Sequence, residues 1–139
     1  MMGPVFLDSS CFIYFIEGRT EFTQKLVPIF KQIENNTIHV FSSIISVSEV
    51  LVGPLKQNNQ DLINRYHNLF TNYPSLEITS PSYKTALSAA LMRVKYGFKL
   101  PDCYQLALAV ESGCKSFYTN DAKLKKFPDM QIILLSPET

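Results

Sequence analysis

The sequence predicts an α/β protein of three layers, with helices on both faces of a central parallel sheet of about four to five strands. Two observations predict it. Short apolar runs, read as strands, alternate with stretches of helical periodicity from one end of the chain to the other, the pattern of βαβ units. Of the 139 residues, 46% are hydrophobic, enough to cover both faces of such a sheet within one domain spanning residues 1–139.

Residues 4–7 read as a short buried strand, and Asp8-Ser9-Ser10 as a turn whose side-chain oxygens cap a helix. Cys11 to Ile16 follows as apolar helix and ends near Gly18. From Glu21 to Glu34, Phe22, Leu26, Ile29, Phe30 and Ile33 recur at helical spacing, until Asn35-Asn36. Thr37 to Phe41 is rich in β-branched residues and reads as a second strand. Ser42-Ser43 opens a helix through Leu51, with Gly53-Pro54 as its stop. Residues 60–70 form an amphipathic helix, and 76–78 a short strand. Ser80-Pro81 starts a long helix to about Lys95, ended by Gly97, and Pro101-Asp102 starts another through Val110, ended by Gly113. Residues 116–118 and 131–135 complete the strands.

Composition removes several functional classes. The three cysteines are odd in number and widely spaced, so neither a disulfide framework nor a Cys metal site is expected, and a reducing cytoplasmic setting is. Asp8 interrupts the apolar N-terminus and no basic residue precedes it, so no signal peptide is expected. No apolar run approaches the roughly 20 residues needed to cross a bilayer, so no membrane role is expected either. His39 and His67 have no spaced partner and read as structural. No Gly-x-Ser-x-Gly elbow surrounds the serines before Glu49, and no glycine arrangement cradles a phosphate.

Four carboxylates stand out: Asp8, Glu49, Asp102 and Asp121. Each follows or interrupts an apolar run, where an unpaired charge is costly unless protonated, paired or bound to a metal. Asp8 and Asp121 lie at the carboxyl ends of predicted strands, where open parallel sheets build their sites. Asp102 is in the first turn of its helix, and Glu49 sits two turns into a helix that is apolar on almost every side. Taken singly, Asp8 and Asp102 also fit helix caps, and Asp121 a turn former. Together they form an oxygen-rich set suited to Mg²⁺ or Mn²⁺, which can activate water and clamp a phosphodiester. Thr119 and Asn120 are positioned to hydrogen-bond metal water or phosphate, or to cap the turn. Setting the four aside leaves eight acids against thirteen Lys and Arg, an excess of about five positive charges that favours an anionic partner such as nucleic acid. The local bias runs from Lys84 through Arg93, Lys95, Lys99, Lys115, Lys123 and Lys125 to Lys126. The same residues also fit solvated helix faces.

At these residues the chain resembles the PIN domain family, and within it the VapC-type toxin ribonucleases. Phe6-Leu7-Asp8-Ser9-Ser10 is similar to the family's opening strand, with its first acid and a following hydroxyl residue at Ser9. The segment from Ser43 to Gly53 resembles the one holding the second acid, Leu100-Pro101-Asp102 with residues 105–109 the third, and Thr119-Asn120-Asp121 the fourth. Ser10 is a departure, since Asn often follows there; it bears on the orientation of Asp8 and removes no ligand. The resemblance implies a metal-dependent endoribonuclease acting on RNA, commonly a homodimer and inhibited by a cognate antitoxin protein. It implies Asp8, Glu49, Asp102 and Asp121 as catalytic metal ligands, with Ser9, Thr119 and Asn120 in support. Other readings are an RNA-processing PIN nuclease without an antitoxin, and a catalytically weak RNA-binding PIN module. A phosphatase or phosphoacceptor domain would want a second acid near Asp8, and Ser9-Ser10 offers none.

Overall fold

The computed structural model describes residues 3–18 and 20–136. Positions 1, 2, 19 and 137–139 of the expected domain lie outside them. Strand β1 (Val5–Leu7) leads directly into α1 (Ser9–Glu17), and α2 (Val27–Glu34) precedes β2 (Val40–Ser43). Helices α3 (Ile44–Lys56) and α4 (Gln60–Asn72) connect to β3 (Leu76–Thr79). Helices α5 (Tyr83–Tyr96) and α6 (Leu100–Glu111) connect to β4 (Ser116–Thr119), and a 3₁₀ turn at Ala122–Lys126 leads to β5 (Gln131–Leu134). The five strands form one parallel sheet in the order β3-β2-β1-β4-β5.

Alternation along the strands divides the interior in two. Val5, Leu7 and Val40 face the helices α1 to α4, packing with Phe12, Phe30, Val50 and Tyr66. Phe6, Phe41 and Phe117 face α5 and α6, packing with Ala89, Leu106 and Phe127. The Phe6 and Phe117 rings stack across the β1–β4 pair at 5.2 Å. β1, β2 and β4 are buried throughout, as expected of strands covered on both faces. The chain moves outward from β1 through β2 to β3, then crosses to β4 on the other side of β1. That reversal places a crevice beyond the carboxyl ends of β1 and β4, the point where such sheets bind ligands.

Several boundaries differ from expectation; α5, for one, begins at Tyr83 behind a Ser82 cap and not at Ser80-Pro81. The helix expected over 21–34 is two pieces, a 3₁₀ turn at Thr20–Phe22 and then α2. Pro28 explains the break: lacking an N–H, it belongs in a first turn, and α2 begins there. β2 begins later than expected and takes in Ser42 and Ser43, pairing with Ile78 and Thr79 of β3. His39 stays outside it, exposed and 3.2 Å from Glu77. Gly53-Pro54 does not stop α3, which runs on to Lys56 with Pro54 buried inside it. Gly53 has no Cβ to meet the proline ring, so the usual penalty on the residue before proline is small. The stop comes at Asn58, in left-handed backbone with φ 51°.

Candidate active site

Asp8 is the floor of the crevice. It is 8% exposed, and its extended backbone ends β1 and caps α1. One carboxylate oxygen, Oδ1, accepts from the Ser10 N–H at 3.0 Å, the Ser10 hydroxyl at 2.5 Å and the Cys11 thiol at 3.6 Å. Burial raises its proton affinity, and hydrogen bonds from Ser10, Thr119 and Cys11 offset part of that rise. Burial also pushes the Cys11 thiol well up, and Asp8 adds to the effect.

Asp121 is joined to Asp8 through Thr119. The wholly buried Thr119 hydroxyl bonds Asp8 and accepts from the Asp121 N–H at 3.1 Å. The Asp121 carboxylate then caps the 3₁₀ turn, accepting from the Lys123 N–H at 3.0 Å. Between them the Asn120 N–H donates to Ser10 Oγ at 3.2 Å, and the Asn120 amide donates to the Tyr14 hydroxyl at 2.7 Å. The ends of β1 and β4 are thus stitched by hydroxyls and amides rather than by opposite charges.

Asp102 and Glu49 arrive on helices, and Gln105 relates the two. Its buried side-chain oxygen accepts from Ser43 Oγ at 2.5 Å and from Ser46 Oγ at 3.0 Å. Ser46 and Glu49 are three apart on α3, and Asp102 and Gln105 three apart on α6, so each acid shares a helix face with its cross-link. Asp102 records the result. Its carboxyl is pushed up to about 6, first by burial, then by the charges of Asp121, Asp8 and Glu49, with Lys99 opposing. Each of the three other acids therefore acts on this carboxylate.

The burial expected of all four acids holds only for Asp8. Asp102 and Asp121 are half-buried and Glu49 is exposed, because its flank of α3, with Ser48 and Val52, faces solvent. Among the described residues no three His, Cys, Asp or Glu side chains already converge on one point as a finished metal cage. Of the supporting residues, Thr119 and Asn120 make the contacts just given. Ser9 is half-buried and makes no side-chain hydrogen bond among the described residues; Ser10 orients Asp8 instead. Sequence reasoning missed Gln105, Cys11 and Tyr14 as supports. Gln105 carried a signal, a long polar residue amid Leu106, Ala107, Leu108 and Ala109 three positions after an acid.

The PIN domain family profile matches residues 5–130. No curated protein sequence matches the chain. Among solved structures, a toxin–antitoxin complex from Klebsiella pneumoniae is similar, with a TM-score of 0.72 and 23% identity over 94% of this chain and 97% of that one. VapBC2 from Rickettsia felis, bound to a DNA fragment from its promoter, is similar at 0.71 and 18% identity, over 94% and 98%. VapC20 from Mycobacterium tuberculosis, a toxin cleaving the sarcin–ricin loop, is similar at 0.70 and 10% identity, over 91% and 97%. The family match spans nearly the whole chain and contains all four acids: this protein belongs to the PIN domain family.

Proposed function

We propose that this protein is a metal-dependent endoribonuclease, the toxin of a toxin–antitoxin pair, and that Asp8, Glu49, Asp102 and Asp121 are its catalytic carboxylates. The observation that carries the reading is Asp102, half-buried in the crevice and raised to about 6 first by that burial and then by the charges of the three other acids. Repulsion of that kind costs stability, and it is a recurrent mark of a functional site. Among the described residues no Lys, Arg or His side chain lies within ion-pair distance of the four acids.

An all-oxygen donor set with no ion-paired basic partner fits Mg²⁺ or Mn²⁺. Mg²⁺ keeps several waters and needs only one or two carboxylates, so a finished cage is not required. When bound, the ion would supply a water of lowered pKa and stabilise charge developing on the phosphodiester. The chain's own residues do the rest. Asp8, fixed by Ser10 and Thr119, presents a carboxylate that cannot swing away. Asp102 and Asp121 hold the half-buried wall, and Glu49 closes the exposed rim. Asn120, anchored by Tyr14, keeps the β4 turn in place beside Asp8. The substrate is RNA held through its backbone, and Lys99 beside Asp102 favours the approach of its phosphates.

The likeness to toxin–antitoxin complexes supports a protein partner. Its seat would be the groove of about 160 Å³ between α1, α2 and α4, lined by Phe15, Ile16, Phe30, Leu69 and Tyr73 with Arg65 at its edge. Cys11 and Phe12, which precede these residues on α1, are buried and unavailable. The working unit proposed is a cytoplasmic homodimer of one-domain chains.

Asp8→Asn and Asp102→Asn should each abolish cleavage of single-stranded or loop RNA, as should excess EDTA. Cleavage at the wild-type rate in EDTA overturns the metal-dependent reading. Co-expression with the adjacent small reading frame should give a co-purifying complex and relieve toxicity. An active nuclease that never slows growth and captures no partner would leave the enzyme and remove the toxin.

A further inference from the structure

The structure sorts the basic residues that the sequence could only count. Arg93 is used internally, donating to the Gly97 and Phe98 carbonyls at 2.8 Å. Lys115 lies at the opposite end of the sheet, just before β4 and beside Gly3. Lys25 donates to the Leu134 carbonyl at 2.7 Å. Lys123, Lys125 and Lys126 behave differently. All three are exposed, and among the described residues none has an acidic partner. They lie on the 3₁₀ turn that the Asp121 carboxylate caps through the Lys123 N–H.

A 3₁₀ helix repeats every three residues, so side chains at i and i+3 eclipse. Leu124 and Phe127 share one side and are buried. Lys123 and Lys126 therefore share another, about 6 Å apart along the axis. That is close to the separation of adjacent phosphates on one strand. The buried pair fixes the turn, and the Asp121 cap sets its register to the acids.

We infer that Lys123 and Lys126 form a two-phosphate track, over which the backbone of a single-stranded RNA leaves the acid cluster on the β4 side. The inference rests on the nuclease reading and extends it to substrate path. Two unpaired lysines rooted about one phosphate spacing apart, on a turn that Asp121 caps, suit a polyanion that crosses the site in one direction. Leu124 and Phe127 beneath them contribute packing only, so the lysine heads can be neutralised without disturbing the fold.

The test uses the full chain carrying Asp8→Asn, so that RNA is bound and not cut. A fluorescent single-stranded oligoribonucleotide is titrated over a range of salt, in Mg²⁺. Adding Lys123→Gln and Lys126→Gln should weaken binding about tenfold at low salt. It should also flatten the slope of log affinity against log salt by about 1.4, at roughly 0.7 for each of the two phosphates no longer neutralised. The melting temperature should not move. A second pair, Lys31→Gln with Lys84→Gln, makes the same change in net charge away from the turn and should leave the slope unaltered. Equal losses in both pairs would overturn the track, since only net charge would matter. An unchanged slope in the Lys123/Lys126 variant would overturn it too, and would assign these lysines to an acidic protein partner. Absence of RNA binding by the Asp8→Asn parent would instead overturn the nuclease reading, and the track with it.

Discussion

At the scale of a single residue, Asp102 links chemistry to stability. Its folded-state carboxyl titrates near 6, above the ordinary 3.8. Between those values the folded protein holds a proton that the unfolded chain has released, so stability falls as pH rises through that window. Above it, ionised Asp102 carries its full repulsion. Asp102→Asn removes the charge. Without metal, the variant should match wild type near pH 4 and exceed it at pH 7 by about 1 kcal/mol, a figure discounted for partial exposure. Urea denaturation in EDTA across this range checks it. A variant no more stable at pH 7 would show that Asp102 is held chiefly as a first-turn acid of α6. Ser10 is the second residue to test. It donates to Asp8 and accepts from Asn120, so Ser10→Ala removes one hydrogen bond from each at once. Cleavage should fall at least tenfold, with a stability loss of about 1–2 kcal/mol. Retained activity would show that Thr119, the Cys11 thiol and the position-10 N–H suffice to orient Asp8.

At the scale of elements, α3 and α6 bring their acids to the site through Gln105. Gln105→Leu is close in size but leaves the Ser43 and Ser46 hydroxyls without their acceptor in a buried place. The expected cost is about 2 kcal/mol of stability together with a loss of cleavage. Loss of stability with full activity would confine the cross-link to a packing role. The element scale also shows what could be read from the chain. Asp8, Asp102 and Asp121 were legible because strand ends and a helix first turn announce themselves through local pattern. Glu49 was legible as a candidate but not in its setting. Its helix looked apolar all round, yet the side bearing Ser48, Glu49 and Val52 is exposed, which only tertiary packing decides. The helical spacing from Phe22 to Ile33 hid the break before Pro28, because periodicity is blind to a missing N–H. Gly53-Pro54 deceived in the opposite sense, since a proline one turn from a helix end removes a single bond. Gln105 joins residues about sixty positions apart, and no local signal states such a pairing.

At the scale of the whole molecule, the order β3-β2-β1-β4-β5 is compatible with right-handed crossovers between parallel strands. Which strand neighbours which was not written in any single segment. That order gathers like charges at one end of the sheet, so a cation that binds only the folded state should stabilise the protein. At a concentration about 100 times its dissociation constant, Mg²⁺ or Mn²⁺ should add roughly 2.7 kcal/mol, near 9 °C in melting temperature for a chain of this size. Calorimetry without RNA measures it. Asp8→Asn combined with Asp102→Asn should lose most of the shift. An equal shift in that variant would place the ion elsewhere.

The two faces of the sheet each carry their own thiols. Cys11 lies with α1 to α4, and Cys103 and Cys114 lie with α5 and α6. All three are buried, and burial raises each, Cys114 to about 12. In the native state they should be nearly inert to alkylating reagents, since the thiolate is the reactive form. Modification then requires opening, which makes these sulfurs an internal clock. Pulse alkylation in moderate urea, read by mass spectrometry, would time the two layers separately. Simultaneous labelling of all three would mean that the sheet and both helical layers come apart as one cooperative unit. Earlier labelling of Cys103 and Cys114 would mean that the α5–α6 layer lifts away first, carrying Asp102 out of the crevice while Asp8 stays sealed.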